Sequence, residues 1–277
     1  MNVNDIQIVL TASLVTLACV IPGCFLVLRR MTMFGDAISH AVLPGIVAAF
    51  LFSGSLNGIA MIIGASLTGL LVTLLIELIQ KKMRISPDAS IGITYTFLFA
   101  IGVIMVSLLS NQTDLDQECV LYGDITLVPL DLGMWGIPRQ IWIASILDIV
   151  LIITLLVGYR GLWVSTFDPS FAAATGIATV FWHYLLMGMV SLSTVTAFES
   201  VGAIMVIALL TGPAATAALF ARSLPRMLVI ASISGIISCI LGYILATILD
   251  ASIAGAIAVM NGLLFFISLL IRKFIRN

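Results

Sequence analysis

Asp36 and His40 stand four residues apart in the run Gly35-Asp36-Ala37-Ile38-Ser39-His40-Ala41-Val42-Leu43-Pro44-Gly45. On a helix that spacing puts both side chains on one face. A carboxylate and an imidazole are suitable ligands for Mn²⁺, Zn²⁺ or Fe²⁺. The pair sits one to two turns into an apolar stretch, where an ionisable group is expensive and usually functional. The small residues Gly35, Ala37, Ser39 and Ala41 would let neighbouring helices approach closely. Pro44 and Gly45 would loosen the helix just beyond, and discontinuous helices often mark transport sites. The competing reading is a structural Asp–His hydrogen bond between helices. Soft-metal or haem binding is disfavoured, because the stretch has no thiolate.

Other ionisable groups are fewer and less suggestive. Glu199 sits at an expected turn between two apolar runs, where it could line the mouth of a pathway. Asp148 lies deep in another run and needs a partner; it reads as a structural hydrogen-bond acceptor. Glu77 is four residues before Lys81, so an ion pair on one helix face is expected. His183, beside Trp182 and Tyr184, reads as an interfacial anchor. Cys19, Cys24, Cys119 and Cys239 form no CxxC or CxxH pair and read as small hydrophobes rather than as a metal site or disulfide. Met31, Met33, Met187, Met189 and Met205 read as fillers of gaps between helices.

The elements that must position these groups follow from composition. Of 277 residues, 61% are hydrophobic and 9% charged, against about 45–50% and about 25% in a soluble domain. So few charges cannot cover a water-facing surface, and the bilayer must be the solvent. A net charge of −1 points to no nucleic-acid partner. At roughly 20 residues per span, the length allows about eight to ten helices. Apolar runs fall near 6–28, 34–52, 59–79, 90–110, 141–157, 180–197, 201–220, 227–248 and 253–271, which gives an all-α chain of about nine spans. Only Phe198, Glu199 and Ser200 separate the sixth and seventh. The whole chain, 1–277, reads as one transmembrane domain. The opening MNVNDIQIVL lacks a basic n-region and runs on into a long apolar stretch, so it reads as a retained span.

With nine spans, Arg29/Arg30, Lys81/Lys82/Arg84, Arg160, Arg222/Arg226 and Arg272/Lys273/Arg276 all fall on one side, with Arg139 the exception. The positive-inside rule makes that side cytoplasmic, with the N-terminus outside and the C-terminus inside. The longest outer connection, 111–140, carries Asp114, Asp116, Glu118, Asp124 and Asp131, and part of it should fold back onto the helices. The longest inner connection, 158–179, contains Asp168-Pro169, a pairing that starts helices: Asp caps the free N–H groups and Pro fits the first position. Ser170 to Thr175 would form a short helix, Gly176 would end it, and Phe167 and Phe171, four apart, could present one aromatic face. No Walker A motif occurs, so any ATP hydrolysis belongs to another chain.

These motifs resemble a known family. RRMTMFGDAISHAVLPGI is similar to the signature near the second helix of the ABC-3 permeases, the membrane subunits of manganese/zinc/iron ABC importers. ECVLYGDITLV, STFDPSFAAATGI and VGAIMVIALLTGPAATAALF resemble three later segments of that family in order, over about residues 20 to 265. Two departures are visible: Asp250 to Val259 lacks the family's Pro, and Ala172-Ala173-Ala174 stands where a charged residue is frequent. The resemblance implies a fold similar to vitamin B12 and siderophore importer permeases, in the bacterial inner membrane. It implies a second permease chain, identical or paralogous, a separate ABC ATPase subunit and an extracytoplasmic metal-binding protein. It implies no tightly bound cofactor, the divalent metal being cargo. Asp36 and His40 match the family's metal positions, and Asp168, Pro169, Phe171 and Gly176 match its coupling helix.

Two other classes compete. An ion-coupled secondary carrier could use Asp36–His40 as a proton relay, but no inverted repeat is visible. An intramembrane metalloprotease would want a second His on the same helix, as in HExxH, which is absent.

Overall fold

Inside a bilayer, backbone polar groups are satisfied only by helices or a closed barrel, and this chain takes the first solution. A computed structural model describes residues 3–53, 58–109, 125–131, 133 and 136–276. The elements are α1 (Val3–Arg29), α2 (Met33–Ala41), α3 (Leu43–Ser53), α4 (Gly58–Met83), α5 (Pro87–Leu109), a 3-10 turn (Ile125–Leu130), α6 (Arg139–Phe167), α7 (Pro169–Ala174), α8 (Thr179–Val201), α9 (Ala203–Phe220), α10 (Leu224–Leu249) and α11 (Ile253–Arg276).

Among the described residues, eight stretches are long and apolar enough to cross a membrane, with α2 and α3 together forming one, Met33–Leu51. The remaining expected span coincides with α9, whose apolar part, Ile204–Phe220, is shorter than the other eight. It rises only about 26 Å at 1.5 Å per residue, less than a hydrocarbon core roughly 30 Å thick.

Two expected boundaries move. The fifth span does not stop near 157; α6 continues unbroken to Phe167. Tyr159 and Arg160 lower the local hydropathy, but Leu162 and Val164 are buried, and a Cβ on Gly158 or Gly161 would collide with the Trp182 indole of α8. Packing therefore carries the helix past its polar dip. The break between the sixth and seventh runs is at Gly202, not at Phe198 to Ser200. Gly202 has φ +77°, a conformation open to glycine at little cost, while Glu199 and Ser200 remain helical.

Helix α1 is the central pillar: 72% of its apolar window is buried, against 17% in α11 at the periphery. Around α1 the main core draws buried side chains from α2, α4, α5, α8, α9, α10 and α11. The expected fold-back of the long connection holds for its described part, since Ile125 and Val128 of the 3-10 turn are buried in that same core. Asp114, Asp116, Glu118, Cys119 and Asp124 lie outside the described residues. Cys19, Cys24 and Cys239 are buried free thiols, and Met187, Met189 and Met205 fill the core.

Candidate functional site

The second span is interrupted where the sequence expects it. Pro44 has no N–H to give the His40 carbonyl four residues back. Helix α2 ends at Ala41 and α3 begins at Leu43. The N–H groups of Gly45 and Ile46 both return to the Val42 carbonyl, at 2.9 and 3.1 Å. Helix α5 rests on this break: a Cβ on Gly102 would lie 2.8 Å from Pro44 Cδ.

One turn before the break, His40 Nε2 lies 3.4 Å from Asp36 Oδ1. The two side chains keep 38% and 32% of their surface exposed, His40 and Asp36 respectively. The rest of α2 is clamped. Ala37, Ile38 and Ala41 are fully buried, and a Cβ on Gly35 would collide with the Leu210 side chain of α9. The imidazole stands beside two rings of α5, Tyr95 at 6.0 Å and Phe99, edge-on, at 6.2 Å between centroids. The result is a carboxylate–imidazole pair on a helix packed along its other faces, open on one side. No group of three or more His, Cys, Asp or Glu suited to a metal occurs among the described residues. The pair thus offers a metal two side-chain donors, fewer than the four of a closed tetrahedral site.

Glu199 does not join the pair. It lies in the last turn of α8, exposed, hydrogen-bonded to Gln140 and within the field of Arg139 and Asp131.

The segment from Asp168 to Gly176 is the short helix its sequence specifies. Asp168 Oδ1 accepts the Phe171 N–H at 2.9 Å, and Pro169 takes the first position of α7. At the other end Gly176 has φ +79°. Ile177 N–H returns to Ala172 O at 2.9 Å and Gly176 N–H to Ala173 O at 3.2 Å, the paired bonds of a Schellman cap. Phe171 is exposed on α7. Phe167 is exposed too, but it ends α6 and packs on Trp163 at 5.7 Å between centroids, so the two rings belong to different helices. A groove of about 490 Å³ between α6, α7 and α8 is lined by Arg160, Val164, Phe171 and Trp182, among others.

Sequence reasoning missed a polar cluster at the α7 end of the bundle. The expected Glu77–Lys81 pair is present at 2.9 Å. Glu77 Oε1 also lies 2.6 Å from His183 Nε2, and Tyr184 donates to Glu77 Oε2 at 3.2 Å. His183 therefore stands against a carboxylate as well as beside aromatics. Its other ring nitrogen lies 3.2 Å from Arg29 Nη1. The only sequence signal was that acid, base and imidazole all fall at ends of apolar runs on one side. Asp148 departs from expectation in the other direction. It is 5% exposed, and neither carboxyl oxygen has a hydrogen-bond partner among the described residues.

Residues 4–272 match the model of the ABC 3 transport family. The chain is 43% identical over 262 residues to the manganese transport system membrane protein MntD of Bacillus subtilis, covering 93% of this chain and 88% of that protein. It is 40% identical to the zinc transport system membrane protein TroD of Treponema pallidum, covering 94% and 71%. Among solved structures, a chain of PsaBC from Streptococcus pneumoniae in complex with Fab superposes with a TM-score of 0.80 at 33% identity, covering 95% of this chain and 89% of that one. A transporter described as of the metal-chelate ABC type, in an inward-facing conformation, gives 0.63 at 18% identity over 96% and 85%, a likeness of fold alone. The chain belongs to the ABC 3 transport family, as a membrane permease subunit.

Proposed function

We propose that this chain is the permease of an ABC importer that carries a divalent transition metal (manganese, zinc or iron) into the bacterial cytoplasm. The observation that carries the reading is the Asp36–His40 pair, held 3.4 Å apart and partly exposed beside the break in the second span. Relatives named for manganese and for zinc transport support the metal class. In this reading the Asp36 carboxylate offsets the charge of a cation stripped of water, and His40 supplies a neutral nitrogen. A pair with only two donors and an open side suits a site shared with a second permease chain, identical or paralogous, that brings its own ligands.

The remaining parts follow from placement. Helix α9 serves as a ninth, short span, so that the bundle resembles vitamin B12 and siderophore permeases. The chain forms one transmembrane domain with its N-terminus outside and its C-terminus in the cytoplasm. Helix α7, with Asp168 and Pro169 at its start, Phe171 on its surface and Gly176 at its end, is the coupling helix that meets a separate ABC ATPase. Glu199, at the far end of α8 from α7, lines the mouth where an extracytoplasmic metal-binding protein delivers the ion.

Proteoliposomes carrying the permease, its ATPase and its binding protein test the reading. Radiolabelled manganese or zinc should accumulate only with ATP and the ATPase. Accumulation by the permease alone, driven by a proton or sodium gradient, would overturn the importer in favour of a secondary carrier.

A further inference from the structure

The polar cluster at the α7 end of the bundle is not part of the metal pair, and its geometry has a direction. Arg29 is the last residue of α1. Its Nε donates to Thr166 Oγ1 at 3.0 Å and its Nη2 to Ser165 Oγ at 3.0 Å, both in the final turn of α6. Its Nη1 lies 3.2 Å from His183 Nδ1 on α8. His183 in turn faces Glu77 of α4 at 2.6 Å. One guanidinium thus joins α1, α6 and α8 directly and α4 through an imidazole. A planar fork of five donors can hold three partners at once in fixed directions; a lysine ammonium cannot reproduce that fork.

The place of Arg29 in the chain matters more than the number of its bonds. On one side, its partner Thr166 stands two residues before Asp168, the residue that caps α7. On the other side, Arg29 leads into the short connection to α2. There Arg30 has φ +59°, a conformation a non-glycine residue keeps only when its surroundings impose it. They do so here: Arg30 N–H returns to Val27 O at 3.2 Å and Met31 N–H to Leu26 O at 2.9 Å. Phe34 N–H then bonds Met31 O at 3.1 Å, which opens α2 and sets Asp36 in its first turn. A continuous run of short, bonded steps therefore leads from α7 through Thr166 and Arg29 to the helix that carries Asp36 and His40.

We propose that Arg29 is a positioning residue that ties α7 to α2, so that a displacement of α7 reaches the Asp36–His40 pair. Arg29 acts through its partners and contacts neither cargo nor nucleotide. The inference rests on the importer reading. His183 and Glu77 back the guanidinium from α8 and α4, keeping it from swinging away from Ser165 and Thr166.

The decisive quantity is metal imported per ATP hydrolysed, measured in proteoliposomes with the complete transporter. A merely structural staple would change the amount of intact complex, which lowers uptake and hydrolysis together and leaves their ratio unaltered. Arg29→Gln should keep ATP hydrolysis running while the ratio falls tenfold or more. Ser165→Ala combined with Thr166→Val leaves the arginine in place and should lower the ratio in the same direction. Adding Arg29→Gln to that pair should cause little further loss, as for residues acting through one contact. Should Arg29→Gln yield no intact complex, the Ser165/Thr166 variant decides alone. An unaltered ratio in whichever of these variants assembles overturns the proposal. A wild-type transporter without ATP-driven uptake would instead overturn the importer reading on which it rests.

Discussion

Asp36→Asn isolates charge from shape. Asparagine keeps the outline of the side chain and a carbonyl oxygen but removes the negative charge. Two unit charges about 4 Å apart interact by about 4 kcal/mol at an effective dielectric near 20, and a divalent cation doubles this to about 8 kcal/mol. The Asp36 side chain is 32% exposed, so water screens part of that attraction, and halving it leaves about 4 kcal/mol. At 1.4 kcal/mol per tenfold, the metal should be held roughly a thousandfold less tightly in the membrane. The scaffold should survive. Ala37 and Ile38 anchor α2 from its buried side, and the Ser39 hydroxyl bonds the backbone carbonyl of Asp36, not its carboxylate. His40→Ala should weaken uptake in the same direction by removing the nitrogen donor. The assay is radiolabelled manganese or zinc accumulation in cells expressing each variant at matched membrane levels, with copurification of the ATPase as a check on assembly. Near-normal uptake by both variants would refute the reasoning and leave Asp36–His40 a structural pair.

Phe171→Asp places a charge on the exposed face of α7 and should reduce ATPase copurification, or leave hydrolysis running without transport, while metal binding by the permease persists; unchanged association and uptake would move docking to the Arg222–Arg226 connection. Asp148→Ala removes two oxygens whose burial without partners costs about 1–3 kcal/mol and leaves a small void, so the melting temperature of the purified protein should hold or rise; a loss of about 3–5 kcal/mol, typical of a broken buried pair, would reveal a partner. In a background lacking the native cysteines, an impermeant thiol reagent on intact cells should label Asp131→Cys and spare Ser170→Cys; the reverse pattern would invert the proposed topology.

What the sequence made legible was governed by neighbours along the chain. Asp36 and His40 share a face because helical spacing dictates it, and Pro44 acts on the His40 carbonyl by an equally local rule. Asp168, Pro169 and Gly176 mark the ends of α7 through bonds that span only a few residues. The errors came where distant parts of the chain decide. The dip in hydropathy at Tyr159 and Arg160 predicts an end to α6 near 157, whereas the indole of Trp182 packs on Gly158 and Gly161 and holds the helix together. The polar residues Glu199 and Ser200 predict the turn after α8, but the backbone breaks at Gly202, where glycine alone tolerates φ +77° cheaply. Arg29 and His183, 154 residues apart, could be seen to lie on one side of a bilayer but not to touch.

The same division bears on how a site with so few ligands could work. A closed structural zinc site can hold its ion by about 10–16 kcal/mol, which suits permanence and not passage. A pathway needs binding favourable enough to admit the ion and weak enough to release it. On the proposed reading, each chain contributes only the carboxylate and imidazole of α2, so the coordination of the cargo depends on how two chains stand to one another. A small shift of α2 then changes the ligand set without unfolding anything. That helix is well placed to shift as a unit. It is cut from α3 at Val42, and its other end is tied through the Arg30 turn to Arg29, beside the base of α7. If Arg29 couples α7 to α2 as proposed, the interruption by Pro44 and the fork of Arg29 are the two ends of one lever, and the two-donor pair between them is what the lever moves.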